Sequence, residues 1–211
     1  MNYERDPKQI YRLSFERVRA EADLGGFPSD VEELAVRLIH ACGMPEIAKD
    51  VAYSPDCVSA GQQALRSGAP IFCDSMMVAH GVIRKGLAQN ADVRSTIKAD
   101  GVVKLAEKLG TTRSAAAVEF WKEELGGAVV AIGNAPTALF HLLERLDEGW
   151  PRPAVILGFP VGFVGAAESK AELCANPRGV PFITLQGRRG GSAMAAAAVN
   201  ALSLGLDGDG R

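Results

Sequence analysis

The sequence predicts one α/β domain, in which a mostly parallel sheet carries helices on both faces and a helical segment precedes the sheet. The chain has 211 residues, which suits one large domain, since domains typically hold roughly 100 to 200 residues. Segments in its second half pass repeatedly from a strand pattern to a helix pattern, as in parallel sheets covered on both faces. Apolar residues make up 47% and charged residues 23%, which indicates a globular protein rather than a disordered one.

Two helices are predicted at the start of the chain, at residues 7–21 and 29–43. The Gly-Gly-Phe-Pro break at 25–28 separates them, and Ser29 or Asp30 is placed to cap the second helix. These helices form the predicted segment ahead of the sheet.

Short β-prone runs follow, and regular alternation begins after residue 125. The predicted strands are 51–54, 70–74, 128–133, 154–158 and 181–185, and the predicted helices are the stretch 102–125 and then 136–148, 166–175 and 192–204. Residues 1–204 therefore form the domain, and the glycine-rich segment 205–211 is expected to be a flexible tail.

Charge and hydropathy exclude several classes of protein. The 25 acidic and 23 basic residues give a net charge of −2 without a basic cluster, which argues against a nucleic-acid-binding protein. Any anion that this protein binds should therefore be small. The first residues alternate in charge with no apolar run behind them, so neither a secretory signal nor a membrane anchor is expected, and the cytoplasm is the expected location. The Ala-rich run 193–204 falls short of the roughly 20 apolar residues that span a bilayer.

The four cysteines form no Cys-x-x-Cys pair and have no histidine at zinc-finger spacing. We therefore expect reduced, mostly buried thiols and no metal site.

Glycine-rich segments leave the carboxyl ends of the predicted strands, where ligands bind in open α/β sheets. Their glycines could equally do no more than form tight turns. No phosphate-binding loop of the type G-x-x-x-x-G-K-[ST] is present, and 162–165 holds only a fragment of G-x-G-x-x-G. ATP and NAD are therefore unsupported. The segments in question are 74–75, 133–135, 158–162 and 187–192.

His40 lies opposite the apolar stripe of the second helix, with Arg37 and Glu33 on the same side. Arg37 and His40 are three residues apart, so a guanidinium and an imidazole could address one ligand together. A solvated helix face is the alternative interpretation.

Ser14 falls inside the apolar arc of the first helix, so its hydroxyl needs a partner if that arc is buried. A bond back to the carbonyl four residues earlier and a polar group of a ligand are the two alternatives.

Gly110 is expected to end one helix, and Thr111 or Thr112 to cap the next. Arg113 would then lie in a first turn, where its charge opposes the helix dipole but could meet an anion bound by the turn's amides. An exposed arginine without a ligand is the alternative.

The remaining histidines suggest no hydrolase. His80 follows a strand and a turn, and His141 is interpreted as a histidine at the edge of the core. No Ser-His-Asp order, carboxylate pair or H-E-x-x-H motif is present. The residues alone indicate an α/β protein that binds anions and has one candidate proton donor.

At these same residues the chain resembles the precorrin-8X methylmutase family, also called precorrin isomerases, of cobalamin biosynthesis. The similarity spans nearly the whole chain, although the segment 90–96 is more polar than the strand expected of relatives, which leaves a strand there open. The matching blocks include IYRLSF at 10–15, LAVRLIHACG at 34–43, MVAHG at 77–81, TRSAAA at 112–117, VVAIGNAPTAL at 129–139, PVGFVGAAESK at 160–170 and GGSAM at 190–194.

The resemblance implies an isomerase that moves a methyl group from C-11 to C-12 of the corrinoid ring by a 1,5-sigmatropic shift, without a cofactor or a metal. It places the essential histidine at His40 and implies homodimers with pockets near the subunit interface. Tight retention of the product would allow its hand-over to the next pathway enzyme. The substrate-binding residues that it implies are Tyr11, Ser14, Arg37, Thr112, Arg113 and Asn134.

Our mechanistic hypothesis for this reaction is that His40 as the imidazolium protonates or hydrogen-bonds a ring nitrogen beside C-11. The acetate and propionate groups of the corrinoid would meet Arg37 and Arg113. The alternatives are a cobalt-precorrin-8 methylmutase, a corrinoid carrier without catalysis, and a nucleotide or phosphate-ester enzyme using the loop 187–192.

Overall fold

The computed structural model describes residues 1, 3–88 and 91–204, so the predicted tail 205–211 lies outside the described residues. The helices are α1 (Pro7–Glu21), α2 (Ser29–Cys42), α3 (Cys57–Arg66), α4 (Met76–Gly81), α5 (Val102–Leu109), α6 (Arg113–Val118), α7 (Pro136–Asp147), α8 (Ala166–Ala175) and α9 (Ser192–Leu204). The strands are β1 (Val51–Tyr53), β2 (Ile71–Cys73), β3 (Val93–Arg94), β4 (Val129–Ile132), β5 (Val155–Gly158) and β6 (Phe182–Leu185). Short 3-10 helices occupy Pro45–Asp50, Arg84–Gly86 and Glu119–Glu124.

The strands form one sheet in the order β1-β6-β5-β4-β2-β3. All neighbouring strands are parallel except β1, which runs antiparallel to β6 with Ala52 opposite Thr184. The prediction of a mostly parallel sheet is confirmed.

Alternate residues of the buried strands face two separate cores, because successive side chains of a strand point to opposite faces. In β4, Val129 and Ala131 belong to the core beneath α2, α3, α4 and α9, whereas Val130 and Ile132 belong to the core beneath α7 and α8. Helices therefore cover both faces, as predicted.

The start of α2 differs from its prediction. Ser29 is already the first helical residue, Pro28 is the cap, and no side chain bonds to the first turn as a cap. The Asp30 carboxylate instead accepts from the N–H of its neighbour Val31 at 2.9 Å. The prediction that Ser29 or Asp30 caps this helix was wrong, because the helix already begins at Ser29.

The predicted helical stretch 102–125 is interrupted at Gly110, where a helix end was expected. Gly110 adopts a left-handed conformation (φ 62°) that ends α5, and the Thr112 hydroxyl accepts from the Ala115 N–H at 3.1 Å to cap α6. The predicted break and cap are confirmed, and the last part of the stretch is a 3-10 helix.

Three α-helices or strands were not predicted, and the first of them is α3. The helix α4 begins after Ser75, whose hydroxyl accepts from the Val78 N–H at 3.3 Å. The sequence did not decide whether the polar segment 90–96 contains a strand. Val93 and Arg94 in this segment form β3 and pair with β2.

All four cysteines are free thiols, as predicted. Cys57 and Cys73 are buried, and burial raises the pKa of each thiol to about 12, which keeps them protonated. No helix in the described part of the chain is long and apolar enough to cross a bilayer.

Candidate active site

The first two helices pack against each other and carry the residues of the candidate site. The Asp6 carboxylate accepts from the Lys8 N–H at 3.0 Å and caps α1. Farther along α1, the Arg19 guanidinium binds Glu32 at 3.1 Å and Glu33 at 2.6 Å on α2. These contacts fix the register of the two helices and bring the middle of α1 opposite the end of α2.

In this register Ser14 meets His40. The Ser14 Oγ lies 2.8 Å from the His40 Nδ1. The Tyr11 ring stacks on the imidazole with the ring centroids 5.7 Å apart, and the Phe15 ring meets it edge-on at 5.2 Å. The partner of Ser14 is thus neither of the two alternatives considered from the sequence.

Arg37 lies one turn before His40 and is half-buried. Its guanidinium carbon is 5.5 Å from the centroid of the Phe15 ring, within the range of a cation–π contact. The face of α2 that bears Arg37 and His40 is therefore packed against α1 rather than simply solvated, which was the alternative interpretation.

The surroundings of His40 disfavour its charged form. Partial burial against α1 lowers the pKa of the imidazole below its ordinary value of 6.5, and the nearby positive charge of Arg37 lowers it further. The free protein therefore holds a neutral imidazole at pH 7. When Nδ1 accepts from the Ser14 hydroxyl, the ring proton resides on Nε2 and can be donated.

A cavity of about 370 Å³ adjoins this pair. Most of its wall area is apolar, with Ile10 and Leu13 from α1 and Ile39 from α2. Polar atoms come from Ser14 and His40 and from three charged side chains, Glu4, Arg17 and Glu21. Gly43 and Pro45, which follow α2, complete one side. A mainly apolar cavity with a few polar groups is the usual form of a small-molecule site.

The other predicted site residues lie at the ends of the central strands. The Thr112 hydroxyl bonds to the Thr137 hydroxyl at 2.7 Å and joins the first turns of α6 and α7. Arg113 follows in that turn and is exposed, as is Asn134 after β4. The structure thus brings Tyr11, Ser14, Arg37 and His40 together and places Thr112, Arg113 and Asn134 in a second group.

Asp74 holds the loop that carries Asn134, although the sequence marked it only as the start of a strand-end loop. Its carboxylate is 1% exposed and accepts from the N–H groups of Gly133 at 2.9 Å, Asn134 at 2.9 Å and Ala135 at 2.7 Å. Burial raises the pKa of Asp74, while the three amide bonds favour its ionised form. A buried carboxylate with this many amide donors fixes the loop that presents Asn134.

Neither of the remaining histidines joins a site of this kind. His80 lies exposed at the end of α4. His141 is 6% exposed and its Nε2 is 2.6 Å from Glu119, so it lies at the edge of the core as predicted. Among the described residues, no group of three or more His, Cys, Asp or Glu side chains could hold a metal ion.

Comparisons with known proteins show the family to which the chain belongs. The family model CbiC, described as precorrin-8X methylmutase, matches residues 9–204. The chain is 59% identical over 203 residues to the precorrin-8X methylmutase of Pseudomonas aeruginosa, which covers 96% of this chain and 98% of that protein. The chain belongs to the precorrin-8X methylmutase family. It is therefore a methyl-shift isomerase of cobalamin biosynthesis.

Two further members extend the comparison. The cobalt-precorrin-8 methylmutase of Priestia megaterium is 37% identical over 202 residues, which cover 95% of this chain and 89% of that protein. The solved structure of precorrin-8X methylmutase from Thermus thermophilus has a TM-score of 0.84 at 38% identity and covers 95% of this chain and 97% of that one. These matches confirm the family, the fold class and the type of activity that the sequence predicts.

Proposed function

We propose that this precorrin-8X methylmutase family member acts on the metal-free substrate and moves the methyl group of precorrin-8X from C-11 to C-12, giving hydrogenobyrinate. The observation that carries the proposal is the His40 imidazole, held by Ser14 and Tyr11 beside a mainly apolar cavity. The choice of a metal-free substrate rests on sequence identity. The chain is 59% identical to a relative named precorrin-8X methylmutase and 37% identical to one named cobalt-precorrin-8 methylmutase.

His40 is the proposed proton donor to a ring nitrogen beside C-11. The free protein keeps its imidazole neutral, and the carboxylates of the bound corrinoid favour the imidazolium, because nearby negative charge raises the pKa of a histidine. Protonation draws electron density toward the ring nitrogen while the bond from the methyl group to C-11 breaks and the bond to C-12 forms. The reaction is an isomerisation without net proton uptake, so the site needs to orient one molecule and lend one proton, which returns from the ring nitrogen to His40 once the methyl group has moved.

A substrate labelled with ¹³C in the methyl group at C-11 tests the reaction. NMR should show the label leaving the signal of a methyl group on C-11 and appearing at C-12, without loss of label. A label that stays at C-11 during prolonged incubation with protein at a concentration equal to that of the substrate would refute the proposal.

Arg37 is proposed to bind a carboxylate of the substrate. We expect Arg37→Ala to raise KM by about ten- to a hundredfold, because hydrogen bonds between charged groups contribute about 1.5 to 3 kcal/mol. The control is Arg66→Ala at the exposed end of α3, which should leave KM unchanged. Steady-state kinetics measures both, and an unchanged KM in Arg37→Ala would place this residue outside the binding site.

The pH dependence should differ between the free protein and the complex. We expect kcat/KM to fall as pH rises through the pKa of free His40, which lies below 6.5, because the proton donor is lost there. The profile of kcat should extend to higher pH, since the bound polyanion raises the pKa of His40. Superimposable profiles, or rates that rise with pH over this range, would contradict a protonated His40.

The second group of residues is proposed to complete the binding site. Arg113 and the amides of the first turn of α6 suit an acetate or propionate group, and Thr112 and Asn134 add polar contacts beside them. As the resemblance implies, we propose a homodimer with the pocket near its interface. We also propose hand-over of hydrogenobyrinate to the next enzyme and a cytoplasmic location.

The small residues of the helix α9 would suit close packing against a second subunit, but the helix already packs within its own chain. It is buried within one chain, where it packs on α2, α3 and α4. Its alanines permit this close packing, as the Cβ of Ala196 lies 2.7 Å from where a side chain on Gly81 would begin.

A further inference from the structure

Lys170 is a buried lysine to which the proposed reaction assigns no role. It lies on α8, its side chain is 0% exposed, and its Nζ donates to the backbone carbonyl of Arg189 at 2.5 Å. Burying an ammonium group is unfavourable unless it is paired, and burial lowers the pKa of Lys170 to about 8. An apolar residue would fill this position in α8 at lower cost, so the contact with Arg189 calls for an explanation.

The loop that Lys170 contacts is closely packed at the carboxyl ends of β5 and β6. A side chain on Gly190 would begin 2.4 Å from the Phe159 carbonyl oxygen, and the Gly191 N–H donates to that oxygen at 2.8 Å. The Gly162 N–H donates to the Arg188 carbonyl at 3.2 Å. Backbone contacts thus hold one side of this loop, and the Lys170 ammonium holds the carbonyl of Arg189.

The side chain of Arg189 continues the connection toward the candidate active site. Its guanidinium is 3.1 Å from the Glu46 carboxylate, in the 3-10 helix that follows α2. Glu46 is the neighbour of Pro45, which lines the cavity beside His40. Lys170 and His40 lie on helices that cover opposite faces of the sheet, and this chain of contacts crosses from one face to the other.

We propose that Lys170 is a positioning residue, which acts through the Arg189 carbonyl and the Arg189–Glu46 ion pair to hold Pro45 against the corrinoid site. This inference rests on the proposed function. Because Lys170 is remote from the reacting atoms, its loss weakens the fit of the cavity wall to the macrocycle and leaves the proton transfer from His40 intact.

The test compares Lys170→Met, Glu46→Gln and the double variant, with Lys49→Met as the control. Lys49 is exposed in the same 3-10 helix as Glu46. Titration with hydrogenobyrinate, followed by its visible absorption, gives Kd without requiring turnover, and steady-state kinetics gives KM and kcat.

We expect Lys170→Met and Glu46→Gln each to raise Kd and KM by about two- to fivefold with kcat unchanged, because both act through the Arg189–Glu46 ion pair, which is about half exposed. The double variant should resemble either single variant, because both remove the same connection. The control should bind as the wild type does.

Three results would overturn the inference: unchanged Kd in Lys170→Met, effects that multiply in the double variant, or a loss confined to kcat. If Lys170→Met does not fold, Arg189→Ala with Glu46→Gln decides, and unchanged Kd in both variants rejects the connection. A wild type that binds hydrogenobyrinate but does not turn over precorrin-8X would refute the proposed function while leaving the binding test of Lys170 valid.

Discussion

His40→Ala should reduce kcat by about 10²- to 10⁴-fold, the usual contribution of a positioned general acid. His40 is exposed and lies outside the two buried cores, so the protein should fold with an unchanged circular dichroism spectrum. Its melting temperature should fall modestly, because the contacts of the imidazole with Ser14, Tyr11 and Phe15 are lost. The loss is therefore expected in the chemical step, measured in single turnovers at saturating substrate.

His80→Ala is the matched control for this prediction. His80 is an exposed histidine near the end of a helix, like His40, but it lies on α4. Its replacement should leave kcat and KM unchanged. A folded His40→Ala protein with full turnover would show that the proton comes from another group.

Asp74→Ala should lower the free energy of unfolding by about 2 to 4 kcal/mol, because it leaves three amide N–H groups without their acceptor. Two of these groups, on Asn134 and Ala135, belong to the loop before α7, and the third lies on buried Gly133. Urea unfolding followed by circular dichroism measures the change. Asp74→Asn keeps one acceptor oxygen but turns the NH₂ of its amide toward a backbone N–H. The decrease in its free energy of unfolding should therefore be smaller than that of Asp74→Ala.

Asp56→Ala is the control for the stability measurement. Asp56 is exposed at the start of α3 and makes no side-chain capping bond there. Its replacement should change the free energy of unfolding by less than about 0.5 kcal/mol. Equal stability of Asp74→Ala and the wild type would show that other groups hold the Asn134 loop.

The fold was largely predictable because its signals are local. Runs such as Val129–Ile132 are apolar throughout, and each is followed by a helix pattern, which is how buried parallel strands appear in a sequence. The strand β3 has two residues and the helix α4 has six, so neither repeats long enough to produce a pattern. The start of α2 was misjudged because Ser29 is a good capping residue and the sequence does not show that Pro28 takes the position.

The site was predictable residue by residue but not as an arrangement. The spacing of Arg37 and His40 depends only on the helix that carries both, and could be read from the sequence. The bond between Ser14 and His40 depends on how α1 lies on α2, which the Arg19 ion pairs fix and the sequence does not reveal. The Asp74 and Lys170 contacts join residues far apart in the chain, and a buried charged residue is indistinguishable from an exposed one in a single sequence.

The structure also refines the mechanistic hypothesis. An imidazolium at His40 was expected, but partial burial and Arg37 both lower its pKa in the free protein. The charged form therefore belongs to the complex, where the carboxylates of the substrate favour it. Substrate binding and activation of the proton donor are thereby linked in this proposal.

The most direct test of the central claim is the visible absorption spectrum of the purified protein mixed with metal-free precorrin-8X, recorded over time beside His40→Ala. Moving the methyl group off C-11 reconnects the conjugated system through that carbon, so turnover must change the spectrum. We predict a time-dependent change in the wild type that is slowed by about 10² or more in the variant. An immediate, constant change of equal size in both proteins would contradict catalysis and indicate a protein that only binds the corrinoid.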